Sequence, residues 1–331
     1  MFALVLGAGG TVGMSSHAGV LRALQEAGVE PDAADVVIGT SAGAIIGSLV
    51  RSGWTVDDLW AMSQGEDNDL WDVDPEIRRQ MLFTQGWRTP LGLARRAVGS
   101  AWVVQRSVVR WPPAPVPVGL ARFCRGGLVS PSGTRQRLAE LLGAEWPAAD
   151  LRLCTVDLVS GQRVVLGGDR ATKMPLSEAA RASSAVPGLF EPVRAGRRVL
   201  VDGGAHSSTN ADVAAECGAD LVIVAAPMAM VGGPGTSVAN RITRAGFTRR
   251  LNREVATLRA GGAQVLVIAP AAEELAAHGL RMLRPDQVEL VAQASYGATC
   301  RVLELPEAQD VLDAARIASS GNRPEETSLS S

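Results

Sequence analysis

Residues 36–50, VVIGTSAGAIIGSLV, pass from β-branched apolar residues through Gly39-Thr40-Ser41-Ala42-Gly43 into small residues that a helix accepts. This order of strand, Gly-x-Ser-x-Gly and helix leaves the chain few options. The glycines at Gly39 and Gly43 let strand and helix approach closely, which places Ser41 on a strained turn with its hydroxyl at the C-terminal edge of a sheet. The helix behind it aims its N-terminal amides at the same spot. Ser41 is therefore the expected nucleophile, with Gly39 and Gly43 shaping its elbow.

The surrounding pattern repeats the same alternation. Residues 2–6 are apolar and end in glycines, and 15–27 follow with helical spacing at Val20, Leu21 and Leu24 before Gly28. After the helix expected at 42–52, Thr55 and Asp58 form a capping box for another. Apolar runs at 151–158, 163–166, 198–201, 221–226 and 264–269 alternate with helical patterns near 176–184, 209–217, 237–259 and 285–298. Strands buried on both faces read this way, so the expected class is α/β with a mostly parallel central sheet covered by helices. A last helix is expected at 306–318, and the polar residues 319–331 read as a disordered tail.

One segment breaks the rhythm. Residues 66–76 hold six acids and no base, residues 88–125 hold seven arginines and no acid, and six of the seven tryptophans lie between 54 and 111. The interval from about 60 to 125 reads as a cap or insertion within a single domain spanning 1–318. On a helical wheel over 98–111, Val98, Ala101, Trp102, Val108 and Val109 share an apolar arc, with Arg106 and Arg110 on another side. Such a helix can lie in a lipid headgroup layer or pack over the site as a cover. The prolines of PPAPVPV beyond it form a stiff connector.

Composition narrows the function. With 47% hydrophobic residues, 20% charged residues and a formal net charge of -2, nothing in the overall charge argues for a nucleic-acid partner. Cys124, Cys154, Cys217 and Cys300 lie far apart with no paired spacing, so no metal site is expected. The N-terminus reaches glycines after a short apolar run without a charged preface, and no stretch supplies about twenty uninterrupted apolar residues for a membrane span. The expected setting is cytoplasmic, with contact at a membrane periphery.

A serine nucleophile needs a base, and the chain has only three histidines, His17, His206 and His278. A triad in the order Ser, Asp or Glu, His places its elbow after several strands, whereas this elbow follows what reads as the second strand, so that pattern fits poorly. The other candidate is Asp202 in RVLVDGGAHSSTN, at the end of an apolar run and followed by Gly203 and Gly204. An aspartate within hydrogen-bond reach can take the serine proton directly. Ser41 and Asp202 are then expected to meet across neighbouring strand tips. GAGGTVG, Gly7–Gly13, supplies a glycine loop that can turn amides toward a developing oxyanion. A dinucleotide loop fits less well, because Val12 stands where the last glycine of G-x-G-x-x-G would fall. His17 reads as a packed or capping residue. His206 lies near the site, lining it or holding its loop, while His278 sits in a surface pattern. Ser183, Ser184 and Pro187 read as wall rather than chemistry.

Taken together, LVLGAGGTVG…HAGVLRALQEAG, GTSAGA, TVDLVSG, ASSAVPGLFEPV and VDGG resemble, in order and approximate spacing, the patatin-like phospholipase family of lipid acyl hydrolases. The resemblance is dense over 2–53 and again over 151–226. It implies an α/β/α sandwich, a dyad of Ser41 and Asp202, an oxyanion hole around Gly9, Gly10 and Thr11, a lipid or fatty acyl ester substrate and no cofactor. Two departures accompany it. Ala8 and Val12 replace a glycine and an arginine usual in the first loop, and HSSTNAD follows Asp202 where Asn and Pro often stand. Transfer of the acyl group to an alcohol or lipid acceptor is an alternative, as is a catalytically poor scaffold that binds lipids or a partner.

Overall fold

Phe2, Leu4 and Leu6 face one hydrophobic core, while Ala3 and Val5, their alternates, face another. A strand buried on both faces must lie in the middle of a layered structure. The computed structural model describes residues 1–64, 127–129, 132–168, 174–231, 236–278 and 287–321. The amphipathic pattern expected over 98–111, and nearly all of the interval 60–125, lies outside them.

The strands are β1 (Phe2–Leu6), β2 (Val36–Gly39), β3 (Gly127–Val129), β4 (Asp150–Asp157), β5 (Arg163–Leu166), β6 (Gly188–Phe190), β7 (Val193–Ala195), β8 (Arg198–Asp202), β9 (Leu221–Ala225) and β10 (Gln264–Ile268). The helices are α1 (Gly10–Glu26), α2 (Ala42–Arg51), α3 (Val56–Ser63), α4 (Ser132–Leu142), α5 (Leu176–Ser183), α6 (Val213–Glu216), α7 (Val238–Ala260), α8 (Ala272–His278), α9 (Val288–Leu303) and α10 (Pro306–Gly321).

The main sheet has the order β10-β9-β1-β2-β4-β8-β7, with β5 also on β4. From β10 to β4 every pairing is parallel, whereas β5, β8 and β7 join antiparallel. Leu21 and Leu24 of α1 and Ile46 and Leu49 of α2 cover one face, and Leu251, Val255 and Leu258 of α7 cover the other. The result is the expected three-layer α/β/α sandwich with a mostly parallel sheet.

The differences from the sequence reading are local. Helix α1 begins at Gly10, not 15, because the glycine loop itself forms its first turn. The helix expected at 209–217 shrinks to Val213–Glu216, since Asn210 takes a left-handed φ of 51° and interrupts helical geometry. The last helix runs to Gly321, so Ser319, expected in the tail, is buried, and its hydroxyl accepts the Glu30 N–H at 3.2 Å. The Thr55–Asp58 capping box is present, with both reciprocal hydrogen bonds. Among the described residues, no helix is long and apolar enough to cross a membrane.

Candidate active site

The elbow forms where β2 ends and α2 begins. Ser41 has φ 54° and ψ −116°, a conformation that costs a residue with a side chain about 1–3 kcal/mol. Gly43 is what permits it. A Cβ there would stand 2.0 Å from the Leu6 carbonyl oxygen, so any side chain would drive α2 off β1. Gly39 is equally closed by Ala44 and the Gly43 carbonyl on the far side of the turn. The Gly43 N–H donates to the Gly7 carbonyl at 3.1 Å, which ties the elbow to the glycine loop.

Two neighbouring serines hold the strained backbone. The Ser41 N–H donates to Ser183 Oγ at 3.1 Å, and Ser183 Oγ donates to the Cys154 carbonyl at 2.7 Å. The Ser184 hydroxyl donates to the Ser41 carbonyl at 3.2 Å. Both peptide groups of the elbow residue are thereby engaged from α5 and the residue after it. Their role as wall residues is sharper than the sequence suggested. No chemical signature distinguishes a buried bracing serine from any other, so only the order of small residues in ASSAVPG hinted at it.

Asp202 ends β8, and its carboxylate lies within hydrogen-bonding reach of the Ser41 hydroxyl. The strand tips are not neighbours, contrary to expectation. β4 lies between β2 and β8 and pairs with both, Gly39 opposite Leu153 and Thr155 opposite Asp202. The side chains meet because β8 returns antiparallel along β4 and stops just beyond the end of β2. Gly203 then passes so close to β4 that a Cβ would meet the Cys154 carbonyl at 2.4 Å. The Gly204 N–H donates to Asp202 Oδ1 at 2.7 Å. Burial pushes the Asp202 carboxyl up to about 6, while the hydrogen bonds from Ser41 and Gly204 draw it down. At neutral pH it is mostly ionised.

Gly9, Gly10 and Thr11 open α1 beside this pair. Gly10 adopts φ 63°, the left-handed conformation glycine tolerates, and the first intrahelical bond runs from Gly13 N–H to the Gly9 carbonyl at 2.9 Å. Amides in the first turn have no carbonyl within the helix to bond, which leaves such a turn suited to negative charge. His17, buried in α1, places Nε2 2.7 Å from the same Gly7 carbonyl that Gly43 engages. Burial lowers its pKa to about 4, so the ring is neutral and its Nε2–H donates. It is thus a packed residue, as expected, that also fixes the loop. Val12, in place of the arginine, is buried against Ala277 and Val291.

His206 turns elsewhere. The Arg250 guanidinium sits 2.8 Å from its Nε2, and burial together with the positive charges of Arg163 and Arg250 lowers its pKa to about 4. Arg250 continues to buried Glu254 at 3.1 Å, which accepts from the Thr209 hydroxyl at 2.6 Å and the Ala211 N–H at 3.0 Å. This network carries the loop after Asp202 against α7. Asn210 completes it, donating to Thr40 Oγ1 at 3.1 Å and to the Ser207 carbonyl at 2.7 Å. Among the described residues no cluster of His, Cys, Asp or Glu could hold a metal ion.

Fold and site define a class of three-layer α/β/α proteins in which a strained serine elbow lies beside a buried aspartate. Within it, the profile of the patatin-like phospholipase family matches residues 4–215, and the chain belongs to that family. It is similar to the uncharacterized protein YqhO of Bacillus subtilis (strain 168), with 28% identity over 222 residues, 62% of this chain and 63% of YqhO. Among solved structures it is similar to VipD from Legionella pneumophila (TM-score 0.42, 14% identity), covering 95% of this chain and 67% of VipD. It is also similar to the type III effector protein ExoU (TM-score 0.37, 17% identity), covering 95% of this chain and 53% of ExoU. The chain spans less than two thirds of YqhO's length.

Proposed function

We propose that the protein is a serine lipid acyl hydrolase that cleaves fatty acyl esters through Ser41 and Asp202. The observation that carries this reading is the Ser41 hydroxyl, on a strained elbow, within hydrogen-bonding reach of the buried Asp202 carboxylate. Family membership supplies the substrate class.

Asp202 takes the hydroxyl proton as Ser41 Oγ bonds to the ester carbonyl carbon. Amides of Gly9, Gly10 and Thr11 receive the developing oxyanion, each such donor being worth roughly a hundred- to a thousandfold in rate. Collapse of the tetrahedral intermediate passes the proton from Asp202 to the departing alcohol and leaves an acyl-serine. Asp202 then accepts a proton from water, the hydroxide attacks the acyl carbon, and the fatty acid leaves as Ser41 regains its proton.

The test is an ester panel of short acyl, long acyl, lysophospholipid and phospholipid substrates with wild type, Ser41→Ala and Asp202→Asn. Wild type should turn over at least one of them and label with a fluorophosphonate probe, and both variants should lose turnover while keeping the wild-type circular dichroism. Full activity in either variant would end the dyad reading.

A further inference from the structure

We propose that the solvent face of α7 is a docking surface for an anionic lipid bilayer, independent of whether Ser41 and Asp202 do the chemistry. α7 carries Arg241, Arg244, Arg249, Arg250, Arg253 and Arg259 against a single acid, Glu254, which is buried and paired with Arg250. Arg241, Arg249 and Arg253 are exposed, with no ion-pair partner among the described residues. At 3.6 residues per turn, Val238, Ile242, Arg249 and Arg253 fall within about 60° of arc, and Arg241 lies about 60° to one side of Val238. One stripe therefore begins aliphatic and continues basic.

Its apolar end is the unusual part. Val238 and Ile242, about one turn apart at the start of α7, are 70% and 73% exposed. Scattered aliphatics on a surface are ordinary, but two on successive turns at a helix entrance beside unpaired arginines are a combination that an interfacial helix uses. A nucleic acid or an acidic protein would satisfy the charge without giving the aliphatics an apolar destination. A bilayer of anionic lipid satisfies both.

The position on the fold agrees. α7 starts near the C-terminal ends of the parallel strands, where Arg244, buried two residues past Ile242, donates to the Pro227 carbonyl. Pro227 in turn packs on the glycine loop, since a Cβ on Gly9 would meet its Cβ at 3.2 Å. The aliphatic end of the stripe thus lies on the same edge as Ser41. On α6, which packs against α7, the exposed acid Glu216 is engaged by Arg163 at 2.6 Å.

The experiment is sedimentation of the full chain with vesicles of phosphatidylcholine alone and of phosphatidylcholine with phosphatidylserine, using Ser41→Ala so that no lipid is consumed. Binding is expected only to the vesicles with phosphatidylserine, and it should weaken as salt rises. Arg249→Gln with Arg253→Gln should weaken it roughly tenfold or more, from two basic residues near a charged surface. Val238→Ser with Ile242→Ser should weaken it by a similar factor, and with Ser41 restored neither pair should change turnover of a water-soluble ester. Equal binding to both vesicle types, no binding, or binding indifferent to both pairs would overturn the proposal. So would self-association, measured by sedimentation without lipid, that Ile242→Ser abolishes, because the face would then belong to a second copy.

Discussion

The Ser183 hydroxyl accepts the Ser41 backbone N–H at 3.1 Å while donating to the Cys154 carbonyl at 2.7 Å, so one buried side chain joins the elbow to the central strand β4. Replacing Ser183 by alanine orphans that amide and costs about 1–3 kcal/mol. We expect Ser183→Ala to lower the unfolding free energy by this amount in urea titrations, and to lower kcat more than it raises KM. Ser184→Ala, which removes a hydrogen bond at a less buried position, should cost less.

Asp202 gives the pH dependence its sign. Burial raises its carboxyl from 3.8 to about 6, so activity that requires the ionised form should fall about tenfold per pH unit below 6 and level off above it. A soluble ester assayed across this range measures it, and a flat profile through pH 6 would refute Asp202 as the base.

The same shift bears on stability. A carboxyl with a folded value above its unfolded one binds its proton more tightly in the folded state, so its ionisation destabilises the fold as pH rises from 3.8 to about 6. Asp202→Asn should therefore be at least as stable as wild type at neutral pH, by up to about 3 kcal/mol, while inactive. Glu274, raised to about 7 by burial, contributes a trend of the same sign, which the comparison of Asp202→Asn with wild type separates. Thermal melts at neutral and acidic pH supply the measurement.

His206 makes the opposite case. Its ring faces Arg250 at 2.8 Å and its pKa is lowered to about 4, so at neutral pH the ring is uncharged and that nitrogen is occupied by the guanidinium. His206→Ala should retain turnover within a fewfold and leave the acid limb unmoved. A loss of activity of a hundredfold in a folded variant would place His206 in the chemistry.

Gly43→Ala is the steric test of the elbow. Its Cβ would fall 2.0 Å from the Leu6 carbonyl oxygen and 2.3 Å from the carbonyl carbon, a clash with backbone that no rotamer relieves. A loss of about 3 kcal/mol or more is expected, read as a lowered melting temperature or as insoluble protein.

The elbow, the strand runs and the glycine loop were legible in the chain because each is a local pattern: Gly39, Ser41 and Gly43 constrain one another over a few bonds. Residue order could nominate Asp202 but not its route. The strand tips proved separated by β4, and the meeting depends on the antiparallel return of β8, which apolar runs alone do not distinguish from a parallel strand. The bracing of Ser41 by Ser183 and Ser184, the hold of His17 on Gly7 and the diversion of His206 to Arg250 also needed three dimensions. These are contacts between residues far apart in sequence, and a side chain's chemical type does not say which partner the fold will bring to it.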